Sequence, residues 1–452
     1  MKTIAIIWAG AAWLMSAATI LENMEQIPRT SQWQKEDFHV HLFEKNTSPG
    51  KKVIISWWWR CNVTTGITDR KDLLSRYTRW GDFIKTAFGK FSPKKCREWF
   101  ESHGVPLKCE EDMRVFPVSD DGRDIVWVFE KIFAKHHDTI SLHYGEGVSG
   151  VDLLSSWTTK DLSENRTDSS YTRNDKSYKW QKLNKYSIIT PKWSYEADIL
   201  IITTWGNAYS HTGSSGDGYA FARALWHTVT PLGPSLSSFL TGEKWLHALS
   251  GLVLQYSRIR ELSWPLLLTH FGISWPLTFK ASSHMAFEII DAKNHKTIHF
   301  APFSDMRYPQ WDTFLRSEFS SHPKKLITSI LTEKLPRRFV EAFILYYFSH
   351  ITTTFVGSIS KADRDRISHL LGDGIPLTLL ERRPGDEFVT AGWVSTDELD
   401  PETMESRFQE NLYFAGEVIN VDGYTWGFSL QICWASGYVA GMNVVQIINH
   451  PQ

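Results

Sequence analysis

Residues 1–20 read M-K-T-I-A-I-I-W-A-G-A-A-W-L-M-S-A-A-T-I, and this stretch decides the fold. The apolar run from Ile4 to Ile7 predicts a buried parallel strand, and the small residues from Ala9 to Ala18 predict a helix packed closely on it. Such a unit usually carries glycine in the spacing G-x-G-x-x-G, because a phosphate must approach bare backbone at the helix N-terminus. Here those positions hold Trp8, Gly10 and Trp13. The stretch therefore predicts a nucleotide-binding turn in which tryptophan replaces two glycines.

The composition narrows the class of partner. The 452 residues include 49 basic and 50 acidic ones, a net charge of −1, with no long run of one sign. We therefore expect a small-molecule substrate, and neither nucleic acid nor a membrane surface as the main partner. Four cysteines without C-x-x-C spacing predict reduced thiols, no metal site and a cytoplasmic protein; they are Cys61, Cys96, Cys109 and Cys433.

The N-terminus also resembles a secretory signal, since Lys2 precedes an apolar run and small residues lie near Ser16. A second apolar strand, from Phe38 to Phe43, favours the interior of a folded domain instead. No later segment reaches about 18 uninterrupted apolar residues, so we expect no transmembrane span.

Tryptophan is unusually frequent, with 21 residues against 15 tyrosines. Several lie where turn chemistry favours glycine: Trp57, Trp58, Trp59, Trp205, Trp393 and Trp426. Our hypothesis is that many are glycines, encoded by UGA codons that the source organism reads as glycine. The alternative is a chain that is truly rich in tryptophan. Trp99 and Trp127, inside apolar-periodic stretches, fit genuine tryptophan.

With glycine at the suspect positions, the first unit is a strand, a turn, a helix and a second strand that ends in Glu44. An acidic residue there can accept hydrogen bonds from a ribose. The following segment, 51–65, then predicts a glycine-rich loop, in which Arg60 could offset phosphate charge.

The remaining chain alternates between element types. Residues 72–103 and 124–135 show helical patterns, and 105–117 and 139–144 predict strands. Residues 155–185 predict a mobile hairpin insertion, and 195–203 a buried strand that ends in the turn 204–207. Residues 229–254 and 266–303 predict an all-β domain, 312–350 a helical subdomain, and 412–416 with 429–448 a strand and helix that return to the first domain.

Six motifs carry a family resemblance: W-A-G-A-A-W-L-M-S-A, S-W-W-W-R-C-N-V-T, T-T-W-G-N-A-Y-S-H-T-G-S-S-G-D-G-Y, L-T-H-F-G-I-S-W-P, V-T-A-G-W-V and L-Y-F-A-G-E-V-I-N-V-D-G-Y-T-W-G-F-S-L-Q. Through them nearly the whole chain resembles the bacterial FAD-dependent oxidoreductases that include aminoacetone oxidase-like and 3-dehydro-bile-acid Δ4,6-reductase-like proteins. The recurrent departure is tryptophan where the family has glycine. Smaller departures are Thr65, where Asn is common, and Phe428, where Tyr is common.

The resemblance implies an α/β fold, with a discontinuous Rossmann-like FAD-binding domain (1–207 and 389–452). It also implies an inserted β-barrel-like substrate domain (208–304 and 356–388) and a small helical insert (305–355). The implied FAD contacts are Trp8, Ala9, Gly10, Ala11, Ala12, Trp13, Glu44, Lys45, Ser56, Trp57, Trp58, Trp59, Arg60, Cys61, Asn62, Thr64, Val148 on an adenine-side strand, Thr204, Trp205, Gly206, Gly416, Glu417, Asp422, Gly423, Thr425, Trp426, Gly427, Phe428, Leu430 and Gln431.

The expected activity is hydride transfer between flavin N5 and a small organic substrate. An amine oxidase and an NAD(P)H-dependent enone reductase are both open, with NAD(P)H as a transient donor in the second. The alternatives are a flavoprotein that modifies tRNA, and a non-catalytic chain if indoles at positions 8 and 13 fill the pyrophosphate site. Weak candidates on the substrate side are Tyr209, His211, Asp217, His270 and Tyr424; Asp217 is better explained as a turn or cap residue.

Overall fold

The computed structural model describes residues 2–8, 10–24, 38–56, 58–161, 178–206, 208, 216–424 and 426–449. The chain forms two compact units. The first unit comprises Met1–Leu232 and Gly392–Gln452, and the second comprises Gly233–Ala391.

The strands are β1 (Lys2–Ile7), β2 (Phe38–Glu44), β3 (Thr64–Thr65), β4 (Tyr77–Arg79), β5 (Leu107–Cys109), β6 (Arg114–Pro117), β7 (Ile140–Tyr144), β8 (Gly150–Asp161), β9 (Tyr178–Ile189), β10 (Ser194–Ala197), β11 (Ile199–Ile202), β12 (Val229–Ser235), β13 (Phe239–Thr241), β14 (Val253–Ile259), β15 (Leu262–Leu268), β16 (Gly272–Ser274), β17 (Lys296–Ala301), β18 (Ile375–Arg382), β19 (Val389–Val394), β20 (Leu412–Phe414) and β21 (Asp422–Gly423). The α-helices are α1 (Ala11–Met24), α2 (Lys51–Ile55), α3 (Arg70–Ser75), α4 (Gly81–Lys90), α5 (Pro93–Ser102), α6 (Arg123–Lys135), α7 (Asp217–Ala224), α8 (Lys244–His247), α9 (Pro276–His284), α10 (Tyr308–Ser321), α11 (Ile327–Leu331), α12 (Arg337–Tyr347), α13 (Lys361–Gly372) and α14 (Trp426–Asn449). Within the described residues, no helix is long and apolar enough to cross a membrane.

The first unit is built on a parallel five-stranded sheet in the order β20-β11-β1-β2-β7. β1 lies at its centre, where Ile4, Ile6 and Ile7 are fully buried. An apolar run without alternation suits a strand that is covered on both faces. The predicted Rossmann-like architecture is confirmed.

The second unit contains a closed barrel in the order β13-β16-β15-β14-β17-β18. The helical subdomain predicted from the sequence contains α10, α11 and α12, and α12 begins at Arg337, directly after Pro336. Buried residues of these helices, such as Trp311 and Phe343, share one hydrophobic core with barrel residues such as Phe300.

Three local expectations differ from the structure. Residues 51–65 form the short helix α2 and strand β3 as well as a loop. The helical pattern of 72–103 is divided among α3, β4, α4 and α5. The β-rich domain was predicted to begin at residue 208, but residues 216–232 fall in the first unit, because Tyr219 and Phe221 of α7 are buried in its core. The centre of the predicted hairpin insertion, 162–177, lies outside the described residues.

Seven tryptophans adopt a backbone conformation that normally requires glycine. Among the described residues, the non-glycine positions with positive φ are Trp8, Trp58, Trp59, Cys61, Trp80, Met113, Asp120, Trp226, Leu236, Arg260, Trp275, Trp393, Met404 and Asn411. Half of them are tryptophan, although tryptophan makes up only 21 of 452 residues. A left-handed conformation costs a residue with a Cβ about 1–2 kcal/mol.

Trp226 shows this conflict most clearly. It follows α7 at φ 65°. Its N–H donates to the Arg223 carbonyl at 2.9 Å, and the N–H of His227 donates to the Ala222 carbonyl at 2.9 Å. These two bonds define a Schellman motif, whose left-handed position is usually glycine. The Trp226 indole is 74% exposed, so packing does not offset the strain.

We predict that Trp226→Gly raises the free energy of unfolding by about 1 kcal/mol, because it relieves the left-handed strain. The matched control is Trp127→Gly. Trp127 is also exposed, but it lies inside α6 with the Lys131 ammonium over its ring. Glycine inside a helix should lower stability by about 1 kcal/mol or more. Urea unfolding of both variants measures the effect, and equal destabilisation by the two substitutions would contradict it.

Three histidines cluster on one face of the sheet. His39 and His41 share a face of β2 because they are two residues apart, and His143 lies beside them on β7. His41 Nδ1 is 3.0 Å from His143 Nε2, and the His143 ring stacks on Phe43. Burial lowers the pKa of all three, that of His41 to about 4. The folded unit therefore favours neutral rings.

We predict that the first unit loses stability as the pH falls from about 6.5 toward 4. Between the unfolded pKa of about 6.5 and the lower folded pKa values, the histidines bind protons in the unfolded chain but stay neutral in the folded one. The free energy of unfolding therefore declines as the pH falls. His41→Gln should remove about 2 kcal/mol of this decline in the free energy of unfolding. This is less than the full pKa shift of His41 implies, because its ring is partly exposed to water. His270→Gln, at an exposed site in the second unit, is the control. Chemical denaturation at several pH values measures both, and identical pH slopes would refute the assignment.

Candidate functional site

The predicted nucleotide-binding turn between β1 and α1 is held by hydrogen bonds of its described residues, Trp8 and Gly10. The Trp8 N–H donates to the Phe43 carbonyl at 2.9 Å, and the Gly10 N–H donates to the Trp8 carbonyl at 3.0 Å. The Thr203 hydroxyl donates to the carbonyls of Ile7 and Trp8, at 2.7 and 2.9 Å. These bonds fix the turn against β2 and β11. No acidic residue lies in the first turn of α1, so the helix N-terminus presents uncompensated positive charge.

Indoles cover this turn. A Cβ on Gly10 would lie 2.3 Å from the Trp205 ring, so that ring rests directly on the bare backbone. The Lys52 ammonium lies 4.3 Å from the centroid of the same ring. Trp8 has φ 78°, and its buried Nε1 has no hydrogen-bond partner. Burying an unpaired donor costs about 1–3 kcal/mol.

Trp13 occupies a different place from the one expected. Its indole is fully buried in the core, donates from Nε1 to the Ile6 carbonyl at 3.1 Å and meets Phe133 edge-on. Because the side chain packs against β1 and α6, it does not fill the pyrophosphate side of the turn. The expectation of an indole at position 13 in that space is wrong.

Glu44 ends β2 and Lys45 follows it, where the ribose contact is expected. Glu44 is buried and accepts hydrogen bonds from the backbone N–H and the side chain of Asn46, both at 2.6 Å. Lys45 lies 3.8 Å from the Asp217 carboxylate and 5.3 Å from the centroid of the Trp8 ring. Asp217 begins α7, the position of a helix-terminal acid.

A buried ion pair joins distant parts of the chain beside the turn. The Lys52 ammonium donates to Glu417 at 3.0 Å, and the two side chains are only 10% and 7% exposed. Gly416, just before Glu417, has φ 85°, and a Cβ there would lie 2.7 Å from the Cβ of Ala12. Glycine at 416 thus lets this segment approach α1 closely.

Polar side chains at Ser56, Asn62 and Thr64 form hydrogen bonds to neighbouring parts of the first unit. The Ser56 hydroxyl donates to Val53, Asn62 accepts from the Val115 N–H, and Thr64 donates to Gln431 at 2.5 Å. Burial raises the pKa of the Cys61 thiol to about 12, so the thiol stays protonated. Arg60 contacts the carboxylates of Glu110 and Asp120 at 2.6 and 2.7 Å, which assigns its charge to them rather than to a phosphate.

The C-terminal segment approaches the same region. Asp422, which is buried, forms a two-pronged ion pair with Arg79. A Cβ on Gly427 would lie 2.6 Å from the Asn62 amide, so the first turn of α14 lies against Asn62. Phe428 and Leu430 are buried, and the Tyr77 hydroxyl donates to the Phe428 carbonyl at 3.2 Å.

The other predicted residues divide into three groups. Thr204 and Gly206 are buried beside Trp205, and Thr204 Oγ1 has no hydrogen-bond partner. Trp58 and Trp59 are 78% and 63% exposed, and Val148 is buried in the segment between β7 and β8 rather than in a strand. Ala9, Trp57, Thr425, Tyr209 and His211 lie outside the described residues, as does the side chain of Trp426.

The structure also describes two further candidates, Tyr424 in the first unit and His270 in the second. Tyr424 is half-buried, its N–H donates to the Arg76 carbonyl at 3.0 Å, and burial raises its pKa. His270 is exposed in the second unit, next to Phe271. Neither position indicates a catalytic group.

Sequence reasoning missed Lys52 and Arg79. Their acidic partners lie 365 and 343 residues away along the chain, so no local spacing indicates either pair. The sequence shows two adjacent lysines at 51–52, but it does not indicate which of them is buried.

Residues 2–443 match the family described as HI0933-like protein Rossmann domain. The chain belongs to this family. The match confirms the expected class, an FAD-dependent oxidoreductase.

Curated relatives cover almost the whole chain. The chain is 25% identical to the 3-dehydro-bile acid delta(4,6)-reductase of Clostridium scindens over 460 residues, 98% of each protein. It is 24% identical to the ribosomal RNA dihydrouridine synthase of Escherichia coli K12, over 90% of this chain and 92% of that protein. A solved Escherichia coli quinol fumarate reductase FrdA variant is 13% identical with a TM-score of 0.46, covering 100% of this chain and 72% of that one.

The site fits FAD except at its indoles. The bare turn at Gly10, the acid at the end of β2 and the small residues at 416 and 427 suit a dinucleotide. The Trp205 ring on Gly10 and the Trp8 ring beside it do not suit a dinucleotide, because a pyrophosphate needs the backbone of the turn to be uncovered.

We predict that Glu417→Gln lowers the free energy of unfolding by about 3 kcal/mol, because it leaves the Lys52 ammonium buried without a counter-charge. The double variant Lys52→Met/Glu417→Leu should recover most of this loss, since it buries no charge. Glu98→Gln in the exposed pair with Lys94 is the control, with an expected change below about 0.5 kcal/mol. Urea unfolding measures all three, and equal losses for the single and double variants would contradict the assignment.

Proposed function

We propose that this protein is an FAD-dependent reductase that saturates a carbon–carbon double bond conjugated to a carbonyl. The supporting observation is that two curated relatives along nearly its full length have names that describe this chemistry. A delta(4,6)-reductase of a 3-dehydro bile acid acts on double bonds conjugated to a 3-ketone. A dihydrouridine synthase saturates the uracil double bond next to C4=O.

Bound FAD, once reduced by NAD(P)H, would supply a hydride donor at flavin N5. The residues proposed to hold it are the turn at Gly10, Glu44 at the end of β2, the segment 204–206 and the segment 416–431. The N-terminus of α14, which lies against Asn62, favours negative charge placed beside it. The buried Arg79–Asp422 pair holds the segment before that helix in position.

A reductase is favoured over an amine oxidase because both named relatives add hydrogen to their substrates. NAD(P)H is the proposed donor, bound transiently, since the G-x-G-x-x-G spacing at 145–150 leads from β7 into β8 and not into a helix, as a separate dinucleotide-binding unit would require. A uridine in ribosomal RNA is the second candidate substrate, because the dihydrouridine synthase matches 90% of this chain. The net charge of −1 favours the small molecule.

The test is anaerobic mixing of the FAD-loaded, NADPH-reduced protein with three compounds: a 4-en-3-one steroid, its saturated 3-ketone as matched control, and an unmodified ribosomal RNA transcript. We expect the steroid enone to restore the visible absorbance of oxidised flavin, and the saturated ketone to leave it bleached. Oxidation by the RNA alone would select the second candidate. Failure of both, together with bleaching of the oxidised protein by aminoacetone, would overturn the reductase in favour of an amine oxidase.

A further inference from the structure

We infer that the protein made in its own cell carries glycine at positions 8, 58, 59, 80, 205, 226, 275 and 393, and that the tryptophans at 99 and 434 are genuine. The inference depends on the proposed function only in naming FAD as the ligand admitted at positions 8 and 205. It divides the tryptophans by their backbone conformation and by the environment of their side chains. Neither property depends on how the codons are read.

The first criterion is backbone conformation. Trp8, Trp58, Trp59, Trp80, Trp226, Trp275 and Trp393 have φ between 52° and 121°. Only glycine adopts these angles without strain. A random choice of residue type would rarely place tryptophan at half of the strained positions.

The second criterion is the environment of each indole. Five of these seven side chains are 39–78% exposed: Trp58, Trp59, Trp80, Trp226 and Trp275. The other two, Trp8 and Trp393, are buried with Nε1 lacking a hydrogen-bond partner. A tryptophan normally stabilises a protein through a buried ring whose N–H is hydrogen-bonded. Neither group combines these two features.

Trp434 meets the opposite criterion, and Trp99 is assigned by its helical backbone and its packing. Trp434 is fully buried inside α14, its Nε1 donates to the Val63 carbonyl at 2.9 Å, and its ring stacks on Phe129. Trp99 is half-buried inside α5, packs against the core of the first unit and also stacks on Phe129. Removal of the Trp434 ring would leave a cavity in the core.

Position 205 is assigned to glycine because its side chain lies too close to the backbone of the turn. The Trp205 ring lies against Gly10, where a Cβ would be 2.3 Å away, and it follows β11 at the edge of the sheet where the nucleotide turn lies. Glycine at 205 and 8 would remove both rings from the turn and uncover the N-terminus of α1. A single change in codon reading, UGA as glycine and UGG as tryptophan, accounts for both classes.

The test is peptide mass spectrometry of the protein purified from its source cells, together with the codons of its gene. We expect glycine masses and UGA codons at the eight assigned positions, and tryptophan masses and UGG codons at 99 and 434. Tryptophan masses at positions 8, 205 and 226 would overturn the inference. This result is independent of any catalytic activity.

Flavin binding tests the consequence for the turn. We expect the chain with tryptophan at all 21 positions to be purified colourless, and Trp8→Gly/Trp205→Gly to bind FAD at least tenfold more tightly in equilibrium dialysis. The matched control Trp99→Gly/Trp434→Gly should bind no more FAD than the parent chain. Equal FAD affinity of the parent and Trp8→Gly/Trp205→Gly chains, both folded by circular dichroism, would refute the opening of the turn. If glycine masses and FAD binding are found without enone reduction, only the proposed function fails.

Discussion

The first unit depends on the close packing of its first helix against its last. A Cβ on Gly437 would lie 2.6 Å from the Ala12 carbonyl oxygen, and one on Gly441 would lie 2.8 Å from the Thr19 side chain. Because neither glycine has a side chain, α14 lies almost on the backbone of α1, and the Ser16 hydroxyl donates to the Gly437 carbonyl at 3.1 Å. This contact brings the C-terminal segment back to the nucleotide turn. A discontinuous domain can then present one site.

The sequence predicted the parts of the fold that are encoded locally. The unit β1-α1-β2 and the helix α14 follow from apolar runs and small residues. The bounds of β2 and α14 agree with the predicted ranges within three residues, and α1 extends six residues beyond the predicted end at Ala18. The site was predicted less well, because its polar contacts join residues far apart. Lys52 and Glu417 meet across 365 residues, and Arg60 pairs with Glu110 and Asp120 instead of remaining available to a phosphate. Spacing carries no information about such pairs.

The tryptophans show how conformation can add to a compositional argument. From the sequence, an apolar-periodic context favours Trp127 as genuine tryptophan, but the sequence does not give the backbone conformation at Trp127 or at Trp226. The backbone separates them, since Trp226 lies at φ 65° in a Schellman motif and Trp127 lies inside α6. Backbone conformation and environment do not decide whether Trp13 is genuine tryptophan or glycine. Its helical backbone accepts either residue, and its indole finds both a core position and a hydrogen bond.

The charge balance at the turn follows from which cations are already neutralised. Lys52 is paired with Glu417 in a buried site, Arg60 with two carboxylates, and Arg79 with Asp422. Lys45 is 47% exposed, and its ammonium lies 3.8 Å from Asp217, so water screens its charge. Among the groups that the structure describes at the turn, the N-terminus of α1 also supplies positive potential, and it has no acidic residue in its first turn. A helix N-terminus acts on an anion through backbone N–H groups at contact distance, and its effect falls off within one turn. Bare backbone at positions 8 and 10, and open space at 205, are therefore electrostatic requirements of the site as well as steric ones.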